Sequence, residues 1–155
     1  MTDKSKIKIY VLENNNYNYL DGIMKGSIDA GYGDITSFED KEQMLEHVNS
    51  SKPNVVMMNA GGYAMDNFDS IKALHGKDIA LIINTNNKEE VQQELKNKGM
   101  KGIVVIKKSF SPKDIGGVIE KALAKVVEQK EKPKTDNSFF NVNPLKVFLK
   151  TLVGK

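Results

Sequence analysis

The sequence predicts an α/β protein with a doubly wound, five-stranded parallel sheet in a three-layer α/β/α arrangement, followed by a short C-terminal helix. Three observations support this. Strand-like and helix-like segments alternate through residues 1–124, as in parallel α/β folds. Two of the strand segments are continuous apolar runs, typical of strands covered on both faces. A charged stretch then separates a last apolar segment from the rest of the chain.

Each element follows from the spacing of its apolar residues. Alternating or continuous apolar patterns predict five strands, at 6–12, 34–38, 54–58, 79–83 and 103–106. Apolar residues at helical spacing predict five helices, at 17–28, 39–49, 68–74, 88–98 and 111–123. The last helix is predicted to begin with Ser111 as its N-cap and Pro112 in its first turn.

Composition excludes several classes of function. The chain has no Cys, which excludes disulfides, Cys-type zinc sites and thiol nucleophiles, and its two His residues cannot form a three-His metal site. It has no Arg, and residues 1–124 carry 16 Lys against 17 acids, so nucleic-acid binding is not expected. No apolar run approaches membrane-spanning length, and the polar N-terminus does not resemble a signal peptide. A cytoplasmic location is therefore predicted.

The carboxyl ends of the predicted strands are the place to look for function, since doubly wound folds bind ligands there. Five short motifs lie at these ends or in the loops that follow them: Tyr10-Val11-Leu12-Glu13-Asn14, Pro53-Asn54-Val55-Val56-Met57-Met58-Asn59, Met65-Asp66-Asn67-Phe68, Thr85, and Lys108-Ser109-Phe110-Ser111-Pro112. In these motifs the sequence resembles the receiver domain of bacterial response regulators, the CheY-like family, over residues 6–124.

The departures from the family pattern are concentrated in its chemistry. The resemblance places the phosphoacceptor at Asn59 and a metal-binding carboxylate at Asn14, so only Glu13 of three acidic groups remains. A neutral amide oxygen is a poor nucleophile, and Mg²⁺ prefers anionic oxygens. Val105 occupies the aromatic switch position, and Ser109 replaces a proline. The resemblance thus implies a degenerate pseudo-receiver that is not an enzyme and uses no metal or cofactor.

Two positions of the family pocket are kept, and their role stays open. Thr85 and Lys108 could still bind an anion or a small ligand, or Lys108 could simply pair with Glu13. Asn14 and Asn59 could form a hydrogen-bonding nest, or they could relieve like-charge repulsion where no metal binds.

Two further segments are candidates for interaction. Gly116-Gly117 lies in the last helix, where small residues could admit a partner, or could mark a late helix start or a tolerated defect. Residues 125–138 are predicted to be a helix end and linker, and residues 139–155 an amphipathic docking segment. Its apolar face consists of Leu145, Phe148, Leu149 and Leu152. That face could dock on its own domain, a second copy, a partner groove or a membrane surface.

Together these features predict a phosphorylation-independent interaction module, an adaptor or localisation factor in a bacterial signalling or motility pathway. Its expected partner is another protein of that pathway or a second copy of the chain. An alternative is a small-molecule or anion sensor that uses Glu13, Thr85 and Lys108. A conventional phosphorylated regulator is disfavoured by Asn14 and Asn59.

Overall fold

The computed structural model describes residues 3–13, 17–59, 68–107 and 110–131. Its strands are β1 (Lys8–Leu12), β2 (Asp34–Phe38), β3 (Val55–Asn59), β4 (Ala80–Thr85) and β5 (Val104–Lys107). Its helices are α1 (Tyr17–Asp29), α2 (Lys41–Ser50), α3 (Phe68–Leu74), α4 (Lys88–Asn97) and α5 (Ile115–Glu131). The sheet order is β2-β1-β3-β4-β5, and all neighbouring strands are parallel. The predicted fold class is confirmed, while the predicted C-terminal segment at 139–155 lies outside the described residues.

The core consists of two apolar layers, one on each face of the sheet. Alternate residues of a strand point to opposite faces. Val11, Met57 and Ile82 pack with residues of α1 and α5 in one layer, whereas Leu12 and Met58 pack with residues of α2, α3 and α4 in the other. All five residues of β3 are buried, as its continuous apolar run predicts.

The start of the last helix differs from the prediction. Pro112–Asp114 form a separate 3₁₀ turn, and α5 begins at Ile115. Within the described part of the chain, the side chain of Ser111 makes no capping hydrogen bond. The reason is tertiary packing, because the Pro112 turn is pressed into a gap on α1 that two glycines leave open. A Cβ added at Gly22 would lie 3.0 Å from Cγ of Pro112, and one added at Gly26 would collide with the Pro112 carbonyl oxygen.

None of the helices in the described ranges is long and apolar enough to cross a membrane.

Candidate functional site

Four polar side chains are buried together at the carboxyl-terminal edge of the sheet. Glu13 is 1% exposed, Asn59 6%, Asn84 2% and Thr85 0%. Strand register explains their placement: Leu12 pairs with Met58, so Glu13 and Asn59 follow on neighbouring strands, and Asn59 itself pairs with Asn84. The carboxyl ends of three neighbouring strands, β1, β3 and β4, thus bring all four polar side chains to one edge.

Strand alternation divides these residues between the two faces of the sheet. Asn59 follows Met57 by two residues and Asn84 follows Ile82 by two, so both amides lie on the α1 and α5 side. Thr85 follows Ile83 by two and lies on the opposite side. Its Oγ1 accepts a hydrogen bond from the backbone N–H of Asn87 at 3.0 Å, just before α4. The Thr85 hydroxyl therefore stabilises the entry to α4.

Glu13 lies beside Tyr19 of α1. The Glu13 backbone N–H donates to the Phe38 carbonyl at 3.3 Å, which extends β1 towards the pocket by one residue. Burial raises the pKa of Tyr19 to about 12, and the nearby Glu13 carboxylate adds to the rise because it disfavours a second negative charge. Strand alternation puts Glu13 on the α1 side, the same side as Asn59 and Asn84, because it follows Val11 by two residues and Val11 packs in the α1 and α5 layer.

The arrangement offers hydrogen-bonding groups and little negative charge. Asn59 and Asn84 are neutral, and an amide oxygen is a poor nucleophile. Among the described residues, no three His, Cys, Asp or Glu side chains come close enough to hold a metal ion. No donor from anywhere in those ranges reaches Oδ1 of Asn84, although this atom is buried. Asn14 and Lys108 lie outside the described residues.

The remaining predicted residues are distributed as follows. Val105 is buried in β5, in the core layer that faces α4. Gly116 is buried, and a Cβ added there would lie 2.6 Å from Cβ of Ala30, so its close approach is to its own chain. Gly117 is exposed, with open space around its Cα. Leu145, Phe148, Leu149 and Leu152 lie outside the described residues.

Asn84, although it stands at a predicted strand end, and Tyr19 were not among the predicted site residues. The signal for Asn84 was present, since period-two alternation along β4 puts it on the face of Asn59 while it puts Thr85 on the other. Tyr19 had no comparable signal, because its proximity to Glu13 depends on how α1 packs on the sheet.

No protein-family model matches the sequence, and no curated protein matches it. Solved structures do. The chain is similar to the signal receiver domain of an HD domain-containing protein from Pseudomonas fluorescens, with a TM-score of 0.67 and 16% identity over 86% of this chain and 96% of that one. It is also similar to the chemotaxis response regulator CheY4 of Vibrio cholerae, with a TM-score of 0.61 and 19% identity over 76% and 98%.

A third similar structure is a putative pilus assembly-related protein from Burkholderia pseudomallei, with a TM-score of 0.64 and 13% identity over 81% of this chain and 95% of that one. At such low identities the likeness establishes the fold alone. The fold of this chain is that of response-regulator receiver domains.

Proposed function

We propose that the chain is a non-enzymatic, phosphorylation-independent protein-interaction module, an adaptor or localisation factor in a bacterial signalling or motility pathway in the cytoplasm. One observation carries the proposal: the buried side chain at the end of β3 is the amide of Asn59. In the receiver domains that this sequence resembles, the residue at this place is the carboxylate that accepts the phosphoryl group. An amide there keeps the fold and removes the nucleophile.

The neighbourhood of Asn59 supports the same proposal. Its register partner Asn84 is a second neutral amide, and Glu13 is the one carboxylate among the buried polar residues of the described ranges. Magnesium retains affinity where several anionic oxygens meet. A sheet edge that offers one buried carboxylate and two amides among the described residues is not expected to hold Mg²⁺, and a domain that binds its partner without phosphorylation does not need that metal.

Partner capture tests the proposal directly. The full chain is immobilised and bacterial extract is applied with and without acetyl phosphate and Mg²⁺. We expect the same proteins to be retained in both cases, and to be retained by a Lys108→Ala variant. Capture that requires the phosphodonor, or that is lost with Lys108→Ala, would contradict the proposal. A chain that lacks residues 136–155 shows in the same assay whether the tail takes part.

A second function, a small-molecule or anion sensor, is favoured by one observation. The Oδ1 of Asn84 is buried with no donor among the described residues, and a buried acceptor without a partner costs roughly 1–3 kcal/mol. A ligand that supplied a donor would recover that free energy. The melting temperature in inorganic phosphate tests this sensor. A rise that Lys108→Ala or Asn84→Leu abolishes supports it, and a melting temperature that phosphate leaves unchanged argues against an anion site.

A further inference from the structure

An apolar groove of about 500 Å³ runs along the second half of α5, away from the buried polar residues of the sheet edge. Leu123, Ala124 and Val127 of α5 form one wall, and Ile7 and Tyr32 form the floor. Ile7 and Tyr32 are buried core residues, 5% and 2% exposed. The groove is thus an opening in the side of the core layer beneath α1 and α5.

The groove has a polar end and an apolar end. At the polar end, Nζ of Lys4 lies 3.1 Å from a carboxylate oxygen of Glu120 and donates to the Ala30 carbonyl at 3.2 Å. The same ammonium lies 5.3 Å from the centre of the Tyr32 ring. At the other end, Val127 is 51% exposed, one of three large apolar side chains among the described residues that are exposed to this degree.

We propose that residues 144–153 of the same chain form an amphipathic helix that docks in this groove through Leu145, Phe148, Leu149 and Leu152. The chemistry of the two surfaces agrees, since an apolar helix face fits an apolar groove. Their lengths agree as well. Leu145 and Leu152 are seven positions apart, as are Glu120 and Val127, which corresponds to about 10 Å along a helix at 1.5 Å per residue.

Chain connectivity favours the chain's own tail over other occupants. The described part of α5 ends at Glu131, four residues after Val127, so the connection to the tail starts near the Val127 end of the groove. Residues 132–143 then provide 12 residues of connection. Twelve residues can span at most about 40–43 Å, while packed helices are about 8–10 Å apart. The connection therefore permits the tail to return alongside α5.

A difference in effective concentration favours docking of the chain's own tail over docking of a second copy. A short flexible connection holds a tethered segment at roughly millimolar effective concentration. A second copy in a micromolar solution competes at about a thousandfold disadvantage for the same groove. A short helix is marginal alone in water, and docking in its own chain is the arrangement that orders it most readily.

A single-tryptophan reporter tests the proposal, because the chain contains no Trp. In the full-length Phe148→Trp variant we expect a blue-shifted emission maximum that does not depend on protein concentration. Adding Val127→Asp should move the maximum to that of exposed Trp, since an unpaired carboxylate is disfavoured in an apolar groove. Adding Gln92→Asp, at an exposed position on α4, gives the same charge change and should leave the emission unchanged. Circular dichroism checks that each variant remains folded.

Three results would overturn the proposal. Exposed-Trp emission in the parent variant means that the tail does not dock in the isolated chain and leaves the groove to a partner. A blue shift that disappears on dilution means that a second copy supplies the groove. A blue shift that survives Val127→Asp means that the tail docks elsewhere. None of these results depends on whether Asn59 accepts a phosphoryl group, so this inference and the proposed function can fail separately.

Discussion

Asn59 and Asn84 place two uncharged groups in register at a sheet edge where the Glu13 carboxylate is already buried. Carboxylates brought together without a cation repel one another, and burial strengthens that repulsion. Amides occupy nearly the same volume without the charge. On the proposed function, we expect the amide at position 59 to avoid this repulsion when no metal is bound.

The repulsion between buried carboxylates predicts what happens when the carboxylates are restored. Asn14→Asp with Asn59→Asp should destabilise the metal-free protein by roughly 3–5 kcal/mol, the usual cost of an uncompensated buried charge. Added Mg²⁺ should recover part of the loss, because a bound cation offsets the repulsion. Urea unfolding with EDTA or Mg²⁺ measures both effects. The variant Asn59→Ala removes the amide without adding charge and should not respond to Mg²⁺. A double variant as stable as wild type in EDTA would show that repulsion at this edge is unimportant.

Tyr19 predicts a pH dependence on the alkaline side. Its pKa rises from 10.0 to about 12 on folding, through burial first and the Glu13 carboxylate second. The folded state therefore keeps a proton that the unfolded state releases above pH 10. This contribution to stability is complete below pH 10 and is lost as pH rises towards 12.

Unfolding midpoints in urea between pH 9 and 12 measure this contribution. Wild type should lose more stability over this interval than Tyr19→Phe, which has no phenol to titrate. Tyr17→Phe is the matched control, since Tyr17 is 53% exposed and starts the same helix. Equal slopes for wild type and Tyr19→Phe would disprove the coupling between Tyr19 burial and stability.

At the scale of elements, the contact between α1 and α5 sets how the last helix is built. The Pro112 turn fills the gap over Gly22 and Gly26, and Gly116 then lies against Ala30. These contacts explain one of the two adjacent glycines in the first turn of α5. The first is required by packing, whereas Gly117 has open space.

The glycine pair supplies an internal comparison. Gly116→Ala should lower the melting temperature, because its Cβ would lie 2.6 Å from that of Ala30 and one helix must shift. Gly117→Ala should raise stability by about 0.8–1.0 kcal/mol, the difference in helix propensity. Thermal unfolding of the two single variants measures both changes in stability. Similar melting temperatures for both would contradict the packing described for Gly116.

Sequence patterns were sufficient for most elements, because the alternation of strands and helices depends on local apolar spacing. The predicted range 34–38 coincides with β2 (Asp34–Phe38), and the other strands agree to within a few residues. Ser111 and Pro112 show where local signals are insufficient. Their cap pattern predicts a helix that starts at once, yet packing against α1 produces a 3₁₀ turn first. The start of α5 is set by the contact between the Pro112 turn and α1, which local sequence does not show.

The same distinction holds for the candidate site. Glu13, Asn59 and Thr85 could be found from the sequence, since strand ends are predictable and parallel strands end at one edge. That Asn84, rather than Thr85, shares the face of Asn59 requires the register. The packing of Gly116 on its own chain requires the position of α1. Contacts between elements distant in sequence decide both points.

At the scale of the whole molecule, the chain combines a nearly neutral receiver-like body with a basic tail. Residues 125–155 carry 7 Lys and 3 acids, whereas residues 1–124 are close to balance. The carboxyl edge of the sheet and the groove on α5 lie on different parts of the body. We therefore expect docking in the groove to be independent of the chemistry at Asn59.

Intact-mass analysis of the full chain after incubation with acetyl phosphate and Mg²⁺ tests the central claim most directly, with a conventional receiver domain treated in parallel to show that the donor is active. The Asn59 amide cannot attack phosphorus at a useful rate, so we predict no mass increase in this chain while the conventional receiver gains one phosphoryl group. A labile phosphoryl adduct that maps to Glu13, Asn59 or their immediate neighbours would contradict the claim that this protein acts without phosphorylation.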